Sequence, residues 1–117
     1  MKLILLMILG HLVSDYTLQG WLADAKQKAW WRKQTTYPMY KNDWLAGLAC
    51  HSLYWSILTF LPLYNSDMWA VIVLGNAVLH AWIDHGKANL RVINLWQDQT
   101  LHLLQIVLSA ALGRIMG

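Results

Sequence analysis

Residues 44–63 read WLAGLACHSLYWSILTFLPL, and this stretch decides the fold class. It has no charged side chain in 20 residues, and His51 is its only strongly polar one. A helix that crosses a bilayer needs roughly 17 to 25 mostly apolar residues, so this run is long enough. A helix of a soluble bundle needs a polar outer face, and Leu53 to Leu63 offers none. The stretch therefore predicts a membrane-spanning helix.

Three further apolar segments accompany it, at Leu3–Leu18, Met68–Ile83 and Ile93–Gly113. The last is long enough to span a membrane by itself, and the other two are marginal. We therefore predict an all-α fold, an integral membrane four-helix bundle that forms a single domain over residues 1–117. The predicted helices cover about 2–19, 43–63, 67–86 and 94–114. Because these helices are short, we also expect a homo-oligomer.

The composition excludes several other classes of protein. Hydrophobic residues make up 57% of the chain and charged residues 13%, whereas a disordered chain has low hydrophobicity and high charge. One cysteine excludes a disulfide scaffold and a cysteine-rich zinc site. The formal charge of +3 is too small, and too localised, to indicate a nucleic-acid partner. We therefore expect membrane lipid as the surroundings and no nucleic acid.

The basic residues predict the orientation of the bundle. Seven of the nine lysines and arginines lie in the connections 20–42 and 85–92, and the connection 64–67 has none. Loops rich in lysine and arginine stay in the cytoplasm. We therefore place both basic loops in the cytoplasm and both termini outside, in a bacterial inner membrane. The N-terminal run also resembles a signal peptide, but no small-x-small cleavage site follows it.

The first basic loop has features of its own. Between Trp21 and Lys33, small and apolar residues near helical spacing stand beside lysine and arginine. That composition is typical of a short interfacial helix lying among lipid headgroups, and Pro38 would end it. A basic loop anchored by tryptophans fits the same residues.

Histidine and aspartate recur four residues apart in three of the four segments. The pairs are His11 with Asp15, His80 with Asp84, and Asp98 with His102. Side chains four apart lie on one face of a helix. With the predicted topology, the pairs and His51 fall roughly 0 to 14 Å below the cytoplasmic interface, at 1.5 Å per residue. The topology used only the basic residues, so this common depth independently supports one shared site.

Such a cluster predicts a metal site. A lone aspartate near the bilayer centre costs at least ~2.5 kcal/mol, so these acids must face a partner. Neutral imidazoles and carboxylates are ligands of Zn²⁺, Mn²⁺ and Fe²⁺. The predicted metal ligands are His11, Asp15, His80, Asp84, Asp98 and His102. With His51 they exceed what one ion needs, so two ions are conceivable.

The predicted catalytic residues are His51, Asp98 and Lys87. His51 would be a metal ligand or a general base, and Lys87 would hold substrate charge. The chain has no glutamate, so a general base must be aspartate or histidine. We expect three carboxamides, those of Gln19, Asn76 and Gln99, to orient the histidines.

These residues also resemble a known family. The run His11-Leu-Val-Ser-Asp15-Tyr-Thr-Leu-Gln19, followed by Trp21 and Lys26, resembles the opening of domain of unknown function 3307, a family of small bacterial and phage membrane proteins. Three later segments resemble the later motifs of that family: Cys50-His51-Ser52-Leu53, Leu79-His80-Ala-Trp-Ile-Asp84-His-Gly-Lys87 and Asp98-Gln99-Thr-Leu-His102. The resemblance runs from His11 to about Ser109. It implies that the polar positions belong to one pattern, and it implies no activity.

We hypothesise a membrane-embedded metal-dependent hydrolase near the cytoplasmic leaflet, with a lipid-linked or amphiphilic substrate such as a phosphoester. Two alternatives stay open. His–Asp pairs can hold membrane helices together by hydrogen bonds alone. In that case the protein would be non-enzymatic, such as a phage effector that binds a host membrane protein. A His/Asp chain also conducts protons or ions, although only Gln105 and Ser109 continue the polar line toward the outer face.

Overall fold

Helices make up most of residues 1–116, the part of the chain that the computed structural model describes. No strand occurs within these residues, so the predicted all-α class is confirmed. The α-helices are α1 (Lys2–Leu12), α2 (Leu22–Ala25), α3 (Lys28–Gln34), α4 (Asp43–Phe60), α5 (Trp69–His85) and α6 (Leu95–Met116). Two π-helical turns, Val13–Thr17 and Gly86–Leu90, extend α1 and α5, and a 3-10 turn at Leu61–Leu63 extends α4.

The α-helical part of α4 ends at Phe60, two residues before Pro62. Proline has no backbone N–H to donate, and its ring clashes with the preceding helical turn. The chain therefore tightens into the 3-10 turn and then reverses into α5.

The helix α4 is the central element, and it packs against α1, α2 and α5, while α6 packs against α1 and α5. Two glycines let α4 approach its neighbours closely. A Cβ added at Gly10 of α1 would lie 2.5 Å from the carbonyl oxygen of Leu58 in α4. A Cβ added at Gly47 of α4 would lie 2.5 Å from the carbonyl oxygen of Ala25 in α2. Neither position has room for a side chain, so glycine permits both contacts.

The interior of the bundle has an apolar end and a polar end. The apolar end is a cluster of buried side chains, Met7, Trp55, Phe60, Leu63, Ile72, Val73, Ile106 and Ala110. The polar end lies one to two helical turns away from this cluster on each long helix, and its buried residues are histidines and aspartates. The outer surface of the bundle is largely apolar. Large apolar side chains are exposed along α1, α5 and α6, among them Leu5, Leu9, Val71, Leu74, Val78, Leu104 and Leu108.

One helical stretch of the described residues, Pro38–Leu63, is long and apolar enough to cross a membrane. The buried core helix of a soluble protein passes the same test, and half of the apolar window in this stretch is buried. The other three expected spans do not pass it. The shortest of them, α1 with its π turn, spans Lys2–Thr17, about 24 Å at 1.5 Å per residue. The integral membrane bundle expected from the sequence is therefore not confirmed by the helices alone.

The segment between α1 and α4 differs from the single short helix considered above. It forms two short helices, α2 and α3, separated at Gln27, whose backbone is extended (φ −102°, ψ 122°). Asn89 clamps this junction, because its side chain accepts a hydrogen bond from the Lys28 N–H (2.8 Å) and donates one to the Lys26 carbonyl (3.0 Å). The break lets Lys26 turn inward. The second helix ends at Gln34, before Pro38, which begins a separate 3-10 turn.

Candidate metal centre

The four long helical segments bring the predicted histidines and aspartates together inside the bundle. Each of these side chains is at most 5% exposed. The set is His11 and Asp15 from α1 and its π turn, His51 from α4, His80 and Asp84 from α5, and Asp98 and His102 from α6. Only Lys87, among the predicted site residues, lies partly exposed at the rim.

A first group of potential ligands surrounds His51. Its Nε2 atom lies 3.2 Å from Asp84 Oδ2, 3.4 Å from Asp15 Oδ1 and 3.2 Å from His80 Nε2. Asp15, His51, His80 and Asp84 each offer one ligand atom, and these atoms all lie within 4.8 Å of one another. Four donors at this separation are enough to hold one metal ion.

A second group consists of Asp15, Asp98 and His102, whose ligand atoms also lie within 4.8 Å of one another. His102 Nε2 is 3.3 Å from Asp98 Oδ1 and 3.6 Å from Asp84 Oδ1. Asp15 belongs to both groups, and Asp84 lies against both. The two groups therefore adjoin, with carboxylates between them. These buried groups are close enough to hold a metal ion.

Three ligand atoms of this cluster are buried without a hydrogen-bond partner: Asp84 Oδ1, Asp98 Oδ1 and His102 Nε2. His102 Nε2 lies 3.3 Å from Asp98 Oδ1 and 3.6 Å from Asp84 Oδ1. A buried polar atom without a partner costs about 1–3 kcal/mol, and more when it is charged. Carboxylate oxygens beside an imidazole nitrogen are donors of the kind that a divalent cation takes.

The hydrogen bonds of His102 leave its Nε2 atom available as a ligand. Its Nδ1 atom lies 3.1 Å from Gln105 Oε1, an oxygen that only accepts hydrogen bonds. His102 therefore carries a proton on Nδ1, and its Nε2 atom faces the carboxylates of Asp98 and Asp84. Asn76 supports this arrangement, because its Oδ1 accepts a hydrogen bond from Gln105 Nε2 (3.1 Å) and its Nδ2 donates to Ser109 (2.8 Å).

His11 is a predicted metal ligand, and the structure places it outside both ligand groups. Trp55 Nε1 donates to its Nδ1 atom (2.8 Å), so its Nε2 carries the proton and donates to Gln99 Oε1 (3.0 Å). The π turn explains the separation of His11 from Asp15. Leu18 N bonds to Val13 O, five residues back, so this turn is wound more loosely and a spacing of four no longer stacks the side chains.

The predicted carboxamides act at different distances from the cluster. Gln99 Oε1 accepts a hydrogen bond from His11 Nε2, and Gln99 Nε2 donates to Asp98 Oδ2 (2.9 Å), with Asp15 Oδ2 at 3.4 Å. Gln19 donates to the backbone carbonyl of Asp15 instead of to a histidine. Asn76 reaches His102 only through Gln105, so Gln105 is the residue that fixes this imidazole.

Two lysines neutralise carboxylates at the cluster. Lys26, itself 5% exposed, places Nζ 2.6 Å from Asp84 Oδ2, and Lys87 places Nζ 2.6 Å from Asp98 Oδ2. Burial lowers the pKa of Lys87, but its hydrogen bond to Asp98 and the charges of Asp84, Asp98 and Asp15 outweigh this and raise the pKa above its ordinary value. Lys87 is therefore a cation, and it holds Asp98 with Oδ1 turned toward His102.

Sequence reasoning missed Lys26, Trp55 and Gln105. Lys26 was counted with the cytoplasmic basic loop, and the only signal for another role was its place in the pattern that resembles domain of unknown function 3307. Trp55 lies at 0% exposure against His11 and stacks on His80 with ring centroids 4.0 Å apart, and no spacing in the sequence indicates this role.

Comparison with protein-family models, with curated proteins and with solved structures found no match to this chain. The resemblance to domain of unknown function 3307 stays a prediction. The geometry of the cluster is therefore the basis on which a function can be assigned.

Proposed function

We propose that this chain is a membrane-embedded, metal-dependent hydrolase, and that the buried His/Asp cluster holds divalent cations. The observation that carries the proposal is a buried group of three potential ligands, Asp15, Asp98 and His102, whose ligand atoms lie within 4.8 Å of one another. In this group Asp98 Oδ1 and His102 Nε2 have no hydrogen-bond partner, and a cation between them would satisfy both. The adjoining group around His51, which shares Asp15, is suited to a second ion, and paired metals with a shared carboxylate are typical of phosphoester hydrolases.

The roles of the residues follow from their surroundings. A bound divalent cation supplies Lewis-acid catalysis, since it polarises the scissile ester and promotes ionisation of a water molecule. Asp15, Asp84, Asp98 and His102 hold and orient the cations. Lys87, whose side chain is 28% exposed, is the charged residue at the rim, and in this proposal it binds the negative charge of the substrate.

His51 has two roles open to it in this proposal. Its Nε2 atom faces the carboxylates and belongs to the first ligand group, which suits a metal ligand. If that nitrogen instead carries a proton, the carboxylates orient the ring and leave the unpartnered Nδ1 atom as a general base. The variant His51→Gln separates these roles, because loss of an ion indicates a ligand, whereas lost turnover with the ions retained indicates a base.

Membrane embedding is supported by the distribution of polarity. Apolar side chains cover the outside of α1, α5 and α6, whereas 15 of the buried residues are polar or charged and 11 are hydrophobic. A soluble protein seldom exposes so many large apolar side chains along neighbouring helices, and lipid is the environment that suits them. Both basic connections lie at the end of the bundle that holds the cluster. In the proposed orientation the cluster therefore lies near the cytoplasmic leaflet.

An amphiphilic substrate is supported by a groove of about 460 Å³ between α5 and α6. Its lining is mostly leucine and isoleucine, including Leu79, Ile83 and Leu104, and its polar residues include Gln105, which contacts His102. Ligand sites commonly combine apolar walls with a few polar groups. An alkyl chain in this groove would be separated from His102 by Gln105.

The test is hydrolysis by the full chain in detergent micelles, with Mn²⁺ or Zn²⁺ restored after chelation. Lysophosphatidic acid is the amphiphilic probe, and p-nitrophenyl phosphate is the soluble comparison. We expect phosphate release from the amphiphile, and a loss of at least about tenfold in Asp98→Asn and His102→Gln. His85→Gln, which removes a histidine outside the cluster, is the matched control. Metal-loaded protein that cleaves neither probe, or variants that cleave as fast as wild type, would contradict the proposal.

A proton relay is the second candidate, because one observation favours it. The imidazoles of His51, His80 and His102 are linked by nitrogen–nitrogen distances of 3.2 Å at both junctions. Proton flux into liposomes that requires His80, in protein that binds no metal, would favour the relay over the hydrolase.

A further inference from the structure

A second concave site lies outside the His/Asp cluster, between α3 and the beginning of α4. This pocket has a volume of about 600 Å³ and contains none of the potential metal ligands. The residues that matter most for its chemistry are Lys28, Trp31, Arg32, Tyr37, Lys41 and Trp44. We call it the basic pocket.

The charge of the basic pocket is positive and unbalanced. Lys28, Arg32 and Lys41 line it, and no acidic residue does. In residues 1–116, the lysines that pair with an acid within 4.0 Å are Lys26 and Lys87, so these three cations have no acidic partner there. Unneutralised cations that converge on a concave surface attract an anion.

Local structure positions Lys28 and the aromatic wall of the pocket. Lys28 and Arg32 are four residues apart on α3, so they lie on one face of this helix. Lys28 Nζ lies 4.3 Å from the centre of the Trp44 ring, a cation–π contact, and Trp44 is itself stacked on His85. Trp31 is anchored through its indole N–H, which donates to the Ala25 carbonyl (2.7 Å).

We propose that the basic pocket binds a phosphate-bearing anion. Arginine beside lysine is the combination that recognises phosphate, because the guanidinium donates two parallel hydrogen bonds and the ammonium adds charge. The volume exceeds that of a bare phosphate ion and falls in the range of small-molecule sites, roughly 300–1,000 Å³. The exposed ring of Tyr37 would contact the group attached to the phosphate. This ligand comes either from a phospholipid headgroup or from a free phosphorylated molecule.

The test titrates full-length, metal-free protein in detergent with two probes. Inorganic phosphate represents the free source, and dihexanoyl phosphatidylglycerol represents the lipid source. Arg32→Gln and Lys41→Gln each remove one cation of the pocket, and Lys33→Gln removes an exposed cation of the same helix that does not line it. Because all three side chains are exposed, the variants are expected to fold, and circular dichroism checks this.

We expect at least one probe to saturate, with Arg32→Gln and Lys41→Gln weakening binding about tenfold each and Lys33→Gln changing it less than twofold. Saturation by inorganic phosphate assigns a free ligand, and saturation by the lipid alone assigns a headgroup. Failure of both probes to saturate, or equal weakening by Lys33→Gln, would overturn the proposal. Metal-free protein is used, so this outcome is independent of the hydrolase proposal.

Discussion

Replacing Lys26 by methionine tests how the buried charges of the cluster are balanced. Lys26 Nζ lies 2.6 Å from Asp84 Oδ2, with Asp84 fully buried. The methionine keeps much of the aliphatic stem and removes the charge. Asp84 then loses its lysine partner, and without a bound metal its buried carboxylate faces imidazole nitrogens alone.

The size of the effect follows from this geometry. Removing one partner of a buried ion pair costs about 3–5 kcal/mol, because the remaining charge is left without compensation. Since Lys26 and Asp84 are both nearly inaccessible to water, we expect the full range in metal-free protein. A divalent cation beside Asp84 compensates its charge, so the loss should fall when Zn²⁺ or Mn²⁺ is saturating. In the double variant Lys26→Met/Asp84→Asn, most of the lost stability should return.

The assay is the free energy of unfolding in detergent, followed by tryptophan fluorescence, with chelator and with saturating metal. Lys33→Met is the control, because it removes an exposed lysine near the same junction. We expect this control to change stability by less than about 1 kcal/mol. The reasoning is refuted if Lys26→Met and Lys33→Met lose the same stability, or if metal does not reduce the loss in Lys26→Met.

Two further predictions concern packing and positioning. Gly10→Ala should destabilise the protein by about 1–3 kcal/mol, because the added Cβ would lie 2.5 Å from the Leu58 carbonyl oxygen. Gly75→Ala is the control and should be neutral or stabilising, because its Cβ would meet nothing within 4 Å. Thermal unfolding compares the two variants, and equal melting temperatures would contradict the close contact between α1 and α4. Trp55→Phe removes the donor to His11 Nδ1 and should lower the free energy of unfolding by about 1–3 kcal/mol. We expect this variant to retain its metal. A loss of metal as large as that caused by a ligand variant would place His11 in the metal site.

Spacing in the sequence predicted the all-α class and the residues of the cluster, because both depend on helical periodicity. Pairs four apart lie on one face of a regular helix, and this held for His80 with Asp84 and for Asp98 with His102, which lie 3.5 Å and 3.3 Å apart. His11 and Asp15 have the same spacing but diverge, since a π turn begins at Val13. A local change of helical winding leaves no clear mark in the residue types.

Lys26 and Gln105 could not be assigned from spacing for a different reason. The role of Lys26 depends on the break at Gln27 and on its clamp by Asn89, a residue more than 60 positions away. Gln105 lies three residues after His102 on α6, so helical spacing permits their contact, but spacing does not show that Asn76 of α5 holds the Gln105 amide. The contacts of Lys26 with Asp84 and of Gln105 with Asn76 are set by tertiary packing, which a helical pattern does not describe.

The most direct test of the central claim is the metal content of the full chain, purified in detergent without chelator or histidine tag and measured by elemental mass spectrometry. We expect about two divalent ions per wild-type chain. His102→Gln should lose part of this metal, and Asp15→Asn should lose most of it, because Asp15 belongs to both ligand groups. His85→Gln should lose none. Folded wild-type protein that contains no metal, even after reloading with Zn²⁺, Mn²⁺ or Fe²⁺, would contradict the account.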